Sequence, residues 1–568
     1  MNREDIYNLT GSLNTPKNAF DLSYKMNFDA NIGTLIPVYH QEVLPDEVID
    51  IKVMHTIRSQ PLVTPIMHGV RVYYHYFFVP YRILVDNWEK LITGGATGDN
   101  TETLEAYGNA SITDNASLTE KRLSLWDYFG IPIMDTTSAV GSGRGDGLSS
   151  KEFTTQPEIN DLLWRAYWVI WRDNYRDENI QTDYPGGQEI GQDYKDQIEN
   201  LEAFMQDYYD EGGGVWRMYC DIPAYRCWVK DYYTSALPYR QRGTAPVIPL
   251  LGNGSAVWDG TNMFTTAPSN PGAVTIDDTY NGLPNFYSLS TANGKENLRG
   301  ALNDNVVQYG SSGIDISDVR LAVQTQRYLE RNMRTGYRYA EQLEGRWGVH
   351  NQDARLQKPE YIGGTVGSVI HSEVLQTSST DATSPQANMS GHGMAIESDG
   401  QIGRYHAKEY GVIMGIMSIV PESVYMQGKD RSLGRFNELD FYSPEFAHLS
   451  EQEISTGELY FVNGAGDDVR FGYQGAWDEY RTRQNKICGN LATDALEAWH
   501  LARKFGDTPT LNEDFLTMKN FSENRRDAWA VSEVQNQSQG QYLVEMYNLV
   551  KALRPLPYIA EPGMIDHF

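Results

Sequence analysis

The chain has 568 residues, enough for one large core or several, and a formal charge of −28 from 75 acidic against 47 basic residues. That balance argues against a free-standing nucleic-acid binder, whose footprint is a basic field, and leaves room only for a local basic patch. The three cysteines, Cys220, Cys227 and Cys488, are too sparse for a disulfide framework and form no C-x-x-C pair. The opening "MNREDIYNLTGSLNTPKNAF" has no apolar stretch of the signal-peptide kind, so the expectation is a protein made and folded in a reducing cytoplasm. The longest apolar run, Gly411–Pro421, falls well short of the ~18 residues of a membrane span.

In chain order, the pattern from Phe20 to Leu91 is strands. Asn31–Leu44, Val48–Ser59 and "MHGVRVYYHYFFVPYRIL" (Met67–Leu84) are β-branched and aromatic runs divided by Pro-containing turns. In the last of these, Val70, Val72, Tyr74, Tyr76 and Phe78 share one parity, and Arg71, Tyr73, His75, Phe77 and Val79 share the other. Both faces are bulky, so the strand is expected to be covered on both sides, with Pro80 ending it. Trp88–Gly95 reads as a short helix stopped by glycine.

Ala96–Ser150 is Thr-, Asn-, Ser- and Gly-rich loop, and its Arg144-Gly145-Asp146 triplet reads as chance. Two helices follow, Asp161–Glu178 and Tyr194–Tyr209. The first carries an apolar stripe of Leu163, Ala166, Tyr167, Ile170 and Trp171. Thr244–Gly313 is a long excursion, of a size usually kept for function.

A long helix begins near Ser317, with Val319, Ala322, Val323, Leu329 and Met333 as its apolar side. Its other face holds Arg320, Arg327, Arg331, Arg334 and Arg338, at intervals of 7, 4, 3 and 4. Such a stripe suits carboxylates of a neighbouring subunit or phosphates, while pairing with Glu330, Glu341 and Glu344 on a solvated face is the plainer alternative. We expect it to serve as a subunit interface. Strands return at Arg404–Met426, Gly457–Asn463 and Asp478–Leu491. On the last, Arg481 and Arg483 share a face. A helix-like piece with Trp499, Leu501 and Phe505 precedes an extended C-terminal arm.

No H-E-x-x-H, phosphate-binding loop, dinucleotide fingerprint or G-x-S-x-G elbow occurs, and the eleven histidines show no metal spacing. No catalytic, cofactor-binding or metal residue is assigned. The 37 tyrosines suit interfaces, where one end packs and the other stays wet. They also leave open an acidic β-sandwich glycosidase or carbohydrate-binding protein, with two facing carboxylates.

The blocks "FDLSYKMNFDANIGTLIPVYHQEVLPDEV", "MHGVRVYYHYFFVPYRIL…NWEKLITGG", "DYYTSALPYRQRG", "YLERNMRTGYRYAEQLEGRWGV…DARLQKPEYIGG", "GVIMGIMSIVPESVYMQG", "FYSPEFAHLSEQEI", "FGYQGAWDEYRTRQNKICG" and "RPLPYIAEPGMIDHF" resemble, in this order, the major capsid protein of the Microviridae. The gokushovirus-like branch of these small single-stranded DNA phages is the nearest likeness. The resemblance lapses over 96–150, 244–313 and 376–399.

It implies a mainly β protein with large helical and loop insertions. The expected body is a single eight-stranded antiparallel jelly roll of viral capsid type, discontinuous in sequence. Its core would come from 20–95 and 400–500, with 96–399 as inserted helices and loops and 501–568 as a C-terminal helix and extended arm. It further implies self-assembly as pentamers into a T=1 shell around circular single-stranded DNA, for which Arg481 and Arg483 are the candidate DNA contacts. The implied partners are a small basic DNA-packaging protein, other minor virion proteins and a host surface receptor met by exterior loops such as 244–313. Neither a cofactor nor membrane insertion is implied, and the expected location is the virion, assembled in the bacterial cytoplasm.

Overall fold

A computed structural model describes residues 16–85, 88–94, 104, 123–131, 160–181, 222–244, 246, 276–277, 285–286, 316–335, 358–375, 389–447, 449–462, 464–537 and 539–559. By internal contacts the chain resolves into two units, Met1–Arg240 with Arg338–Phe568, and Gln241–Tyr337.

The first unit is built on nine strands: β1 (Asn18–Asp21), β2 (Tyr24–Ala30), β3 (Ile36–Val43), β4 (Val48–Ser59), β5 (Val70–Pro80), β6 (Glu360–Leu375), β7 (Met389–His406), β8 (Gly411–Pro421) and β9 (Tyr542–Arg554). They form one antiparallel sheet in the order β1-β9-β4-β7-β6-β5-β8-β3. β2 also pairs with β9, so β1 and β2 lie end to end and share one edge position. The mainly β expectation holds, and the Asn31–Leu44 and Gly411–Pro421 runs pair directly as β3 and β8.

The sheet curls at β6. Glu360–Val369 pairs with β5, and the strand then passes to β7, where Ile370–Leu375 pairs with Met389–Met394. Inward side chains of both halves consequently fill one core. Ile49, Ile51, Val53 and Ile57 of β4 and Val544, Met546 and Val550 of β9 meet Val72, Tyr74, Tyr76 and Phe78 of β5. One polar bridge crosses it: the Tyr76 hydroxyl donates to Asn548 Oδ1 at 2.9 Å, and Asn548 Nδ2 donates to the Val38 carbonyl at 3.0 Å. Asn548 is fully buried, so its loss would strand the buried Tyr76 hydroxyl at about 1–3 kcal/mol, while the Val38 carbonyl keeps the Tyr24 hydroxyl as a donor at 3.4 Å.

The outer face of β5 and β8 is covered as well. Phe77 and Val79 of β5 and Val412, Met414 and Ile416 of β8 pack with Trp164, Tyr167, Trp168 and Ile170 of helix α1 (Leu162–Asn174). The two-sided strand read from the sequence thus lies between a sheet core and an inserted helix. α1 is buried almost all round rather than along one stripe, which its four tryptophan and tyrosine rings require. At its start Asp161 accepts from Arg165 Nε at 2.6 Å, a buried pair one turn apart.

A third, smaller core gathers Tyr232, Tyr233, Tyr425, Phe471, Phe515 and Leu516. It lies beside the Glu451–Ser455 and Arg470–Gly475 ladder. Arg503 is buried beside it, 4.1 Å from the Phe515 ring centre and 4.9 Å from that of Trp228, with Nη2 donating to the Phe515 carbonyl. Aromatic faces and a carbonyl, rather than a carboxylate, carry this cation.

Several sequence expectations are corrected. β6 and the first part of β7 fall inside 96–399, the stretch read as inserted helices and loops, and β9 inside the C-terminal arm. The described part of the expected Gly457–Asn463 strand, through Val462, is no strand: Thr456–Glu458 is a 3₁₀ turn. The Asp478–Leu491 strand dissolves into a 3₁₀ turn at Asp478–Tyr480, a two-residue strand at Asn485–Lys486 and another turn at Gly489–Ala492. The piece with Trp499 is a 3₁₀ run over Asp494–Trp499, with Leu501 and Phe505 beyond it in irregular chain. Trp88–Thr93 is the expected helix, followed by Gly94 at φ 77°. The Tyr194–Tyr209 helix lies outside the described residues. So does the 244–313 excursion, except Thr244, Pro246 and the short ladder of Ile276–Asp277 with Asn285–Phe286.

Burial also sets an acid limit. His55 (between the two halves of the sheet, against the Tyr74 ring at 5.1 Å) is held down to about 4 by burial. Burial does the same to His75, whose Nδ1 meets the Tyr175 hydroxyl at 2.8 Å, and to His371. Unfolded imidazoles titrate near 6.5. The unfolded chain therefore takes up protons first, and the folded state loses stability between about pH 6.5 and 4, with no further loss from these groups below that window. At ~1.4 kcal/mol per pH unit and group, the three together amount to several kcal/mol. Urea unfolding of dissociated subunits should show a midpoint that falls from pH 7 to pH 4.5, and His55→Phe should flatten the fall. An unchanged midpoint would contradict the burial argument.

Candidate subunit-contact and nucleic-acid surfaces

The arginine stripe lies in the second unit, on helix α2 (Ile316–Thr335). Met333 is buried, Val319, Ala322 and Leu329 are half-buried, and Val323 is exposed, against expectation. The helix is tied within its unit: Arg242 N–H donates to the Leu329 carbonyl at 3.4 Å, and Gln326 Nε2 donates to Gln241 and, at 2.9 Å, to Glu330. Arg320, Arg327, Arg331 and Arg334 are exposed on the opposite side, beside Leu321 and Tyr328. Arg338 lies beyond the helix and outside the described residues. The 3.6-residue period thus brings four guanidiniums to one exposed face, where they repel one another unless anions lie opposite.

Arg481 and Arg483 do not share a strand face. Arg481 closes the Asp478–Tyr480 turn and pairs with Asp478. Arg483, mostly exposed, reaches Asp430 at 3.6 Å, where Lys486 Nζ also binds at 3.0 Å. Asp430 additionally accepts from Ser432 N–H, and its bonds to Ser432 and Lys486 hold its carboxyl down to about 2.

Arg483 lines a cavity of about 140 Å³ together with Lys429, Arg431, Lys486 and Tyr232. Inside it Arg431 Nη1 donates to Glu458 Oε1 at 2.9 Å. Glu458 is buried, and burial pushes its carboxyl up. Arg431, Arg483 and Lys486 already have carboxylate partners, and Lys429 lies 5.0 Å from the Phe461 ring centre. Exposed pairs of this kind are worth only about 0–1 kcal/mol, so a phosphate could displace Asp430 from Arg483 at little cost. Sequence reading found Arg483 but missed Lys429, Arg431 and Lys486, because they converge through turns rather than through any repeat in the chain.

Among the described residues no group of three His, Cys, Asp or Glu side chains is placed to hold a metal ion. No described helix is long and apolar enough to cross a membrane. Cys227 is half-buried, with its thiol pushed up to about 12 by burial, and so is no nucleophile.

A curled, aromatic-rich sheet with inserted helices and exposed charged faces is compatible with a structural protein of the viral capsid β-sandwich class. Comparison with known proteins makes the class definite. The family model described as "Capsid protein (F protein)" matches residues 10–564. The chain is 30% identical to capsid protein VP1 of Chlamydia phage 1 over 96% of both chains. It is 30% identical to capsid protein VP1 of Bdellovibrio phage phiMH2K over 89% of this chain and 88% of that one. To capsid protein VP1 of Spiroplasma virus 4 it is 25% identical, over 97% and 95%. The chain belongs to the phage capsid protein (F protein) family of the Microviridae, a structural component of the virion and not an enzyme. The glycosidase alternative is thereby set aside.

Proposed function

We propose that this capsid protein assembles as pentamers into a T=1 icosahedral shell around a circular single-stranded DNA genome. The body would be a jelly roll of viral capsid type, drawn from 20–95 and 400–500 together with β6, β7 and β9. The observation that carries this reading is the near-full-length match to three phage capsid proteins. The chain purified from an expressing bacterium should form closed particles of uniform size in negative stain. A 64.3 kDa monomer at every concentration would contradict it.

Electrostatics sets the division of labour in such a shell. About sixty copies at −28 sum to roughly −1,700 charges, which repel DNA. Genome contact then falls to local basic groups, with Arg481 and Arg483 as candidates, and to a small basic packaging protein. The α2 stripe of Arg320, Arg327, Arg331 and Arg334, with Arg338, meets carboxylates of neighbouring copies, since acidic partners abound on the chain itself. The 244–313 excursion forms an exterior projection toward the host surface.

One set of variants separates these roles. Arg331→Ala/Arg334→Ala should lower particle yield more than DNA per particle, by about tenfold if the pairs are desolvated. Arg481→Glu/Arg483→Glu should lower DNA per particle and spare empty shells. Deleting 244–313 should spare particles and lower adsorption. Any variant with the opposite pattern reverses the role given to its residues.

A further inference from the structure

The segment Arg431–Leu449 leads from the Val424–Tyr425 strand to the Glu451–Ser455 ladder, and none of its described residues adds a side chain to any of the three cores. Yet Leu433, Phe436, Leu439, Phe441, Tyr442 and Leu449 leave between 47% and 83% of their surface in water. Single exposed apolar side chains are ordinary. Six within seventeen residues of one segment are not.

The segment is built. Three 3₁₀ turns, Arg431–Gly434, Glu438–Asp440 and Pro444–Phe446, shape it. Asp430 caps the first through Ser432 N–H at 3.0 Å. Asp440 accepts from the N–H groups of Phe436 and Asn437 at 2.9 and 2.8 Å. Trp477 Nε1 donates to the Phe446 carbonyl at 3.1 Å.

Arg435 is the buttress. It donates to the Tyr480 hydroxyl at 2.6 Å and to Glu479 at 2.7 Å, with its guanidinium 4.5 Å from the Tyr480 ring centre and 5.9 Å from that of Phe441. The Tyr442 ring meets Trp477 edge-on at 5.5 Å. The backbone is thus fixed by its own polar groups while the large apolar side chains face outward, which spares most of the ordering cost of docking.

We infer that Arg431–Leu449 is a contact surface between copies of this chain. Three aromatic rings and three leucines at these exposures offer on the order of 600 Å² of apolar surface, against ~800 Å² per partner in a standard interface. The segment contains no lysine, and both of its arginines are spent inward, on Glu458 and Glu479. Of its acids, Asp440 accepts from the Phe436 and Asn437 N–H groups and Glu445 from Ser443, so the outward surface is set mainly by aromatic rings, which interface centres favour, and by leucines. A second copy is the occupant because association into a shell is what a capsid family supplies. The inference rests on the shell reading given above.

The test uses the full-length chain. In Phe436→Ser/Leu439→Ser the subunit should keep its wild-type circular dichroism and thermal midpoint, because both side chains are mostly exposed, while particle yield by sedimentation falls about tenfold or more. Wild-type yield from the folded variant overturns the inference and leaves the shell reading intact. Failure of the unmutated chain to form particles overturns the shell reading instead. A second measurement does not need assembly to fail. In Phe436→Cys, alkylation by N-ethylmaleimide is mapped at position 436 by mass spectrometry. It should be about tenfold slower in intact particles than in dissociated subunits, and equal rates place the segment on a free surface and overturn the assignment.

Discussion

The strand pair β5–β8 must be dry on both faces, and the rest of the first unit is arranged around that requirement. All eleven residues of β8 are buried, and β5 carries an inward row of Val70, Val72, Tyr74, Tyr76 and Phe78 and an outer row that runs from exposed Arg71 through half-buried Tyr73 and His75 to buried Phe77 and Val79. A sheet strand with one wet face carries polar outward residues; past Arg71 the outer row of this pair turns apolar at Phe77, Val79, Val412, Met414 and Ile416, so a second layer is obligatory there. The curled sheet supplies the inner layer and α1 the outer one. An aromatic helix inserted far from both strands in sequence is therefore part of the fold's stability rather than an appendage.

Polar groups are admitted to this interior only where geometry satisfies them. Asn548 joins β9 to β5 and β3 across the core. Glu47, fully buried, accepts from Arg554 Nε at 2.6 Å and from Leu44 N–H at 3.0 Å, which ties the start of β4 to the end of β9. Breaking such a pair by removing one partner costs about 3–5 kcal/mol, because a buried charge is left uncompensated. The same exclusion of water depresses His55 and His75, so the acid limit is a by-product of how completely the two faces are closed.

What was legible in the sequence follows from the same physics. β5 and β8 were readable because two-sided burial leaves no polar alternation to misread. β9 was missed because its inward row, Tyr542, Val544, Met546, Asn548 and Val550, is interrupted by a polar bridge, while its outward row includes Leu543 and Tyr547. β6 and β7 were missed because their glycines imitate a loop. Those glycines answer to close approach: a Cβ on Gly363 would lie 2.2 Å from the Ile402 carbonyl oxygen, and one on Gly391 2.4 Å from that of Thr64. The arginine stripe was readable from period alone, whereas the basic lining around Arg483 was not, since turns bring it together. The exposed row of Arg431–Leu449 carries no period either, and only its exposure in the folded chain separates it from a core segment.

Closure of both faces of β5–β8 holds the first unit together. Native-state hydrogen exchange of dissociated subunits tests it most directly, because each amide reports the size of the opening that exposes it. The amides of Val70–Val79 and Gly411–Val420 should exchange only through global unfolding, with the full unfolding free energy, while those of β4 and β9, whose outer faces are in part wet, open at lower cost. Exchange of β5 and β8 through openings smaller than global unfolding, with β4 and β9 the better protected, would contradict the account.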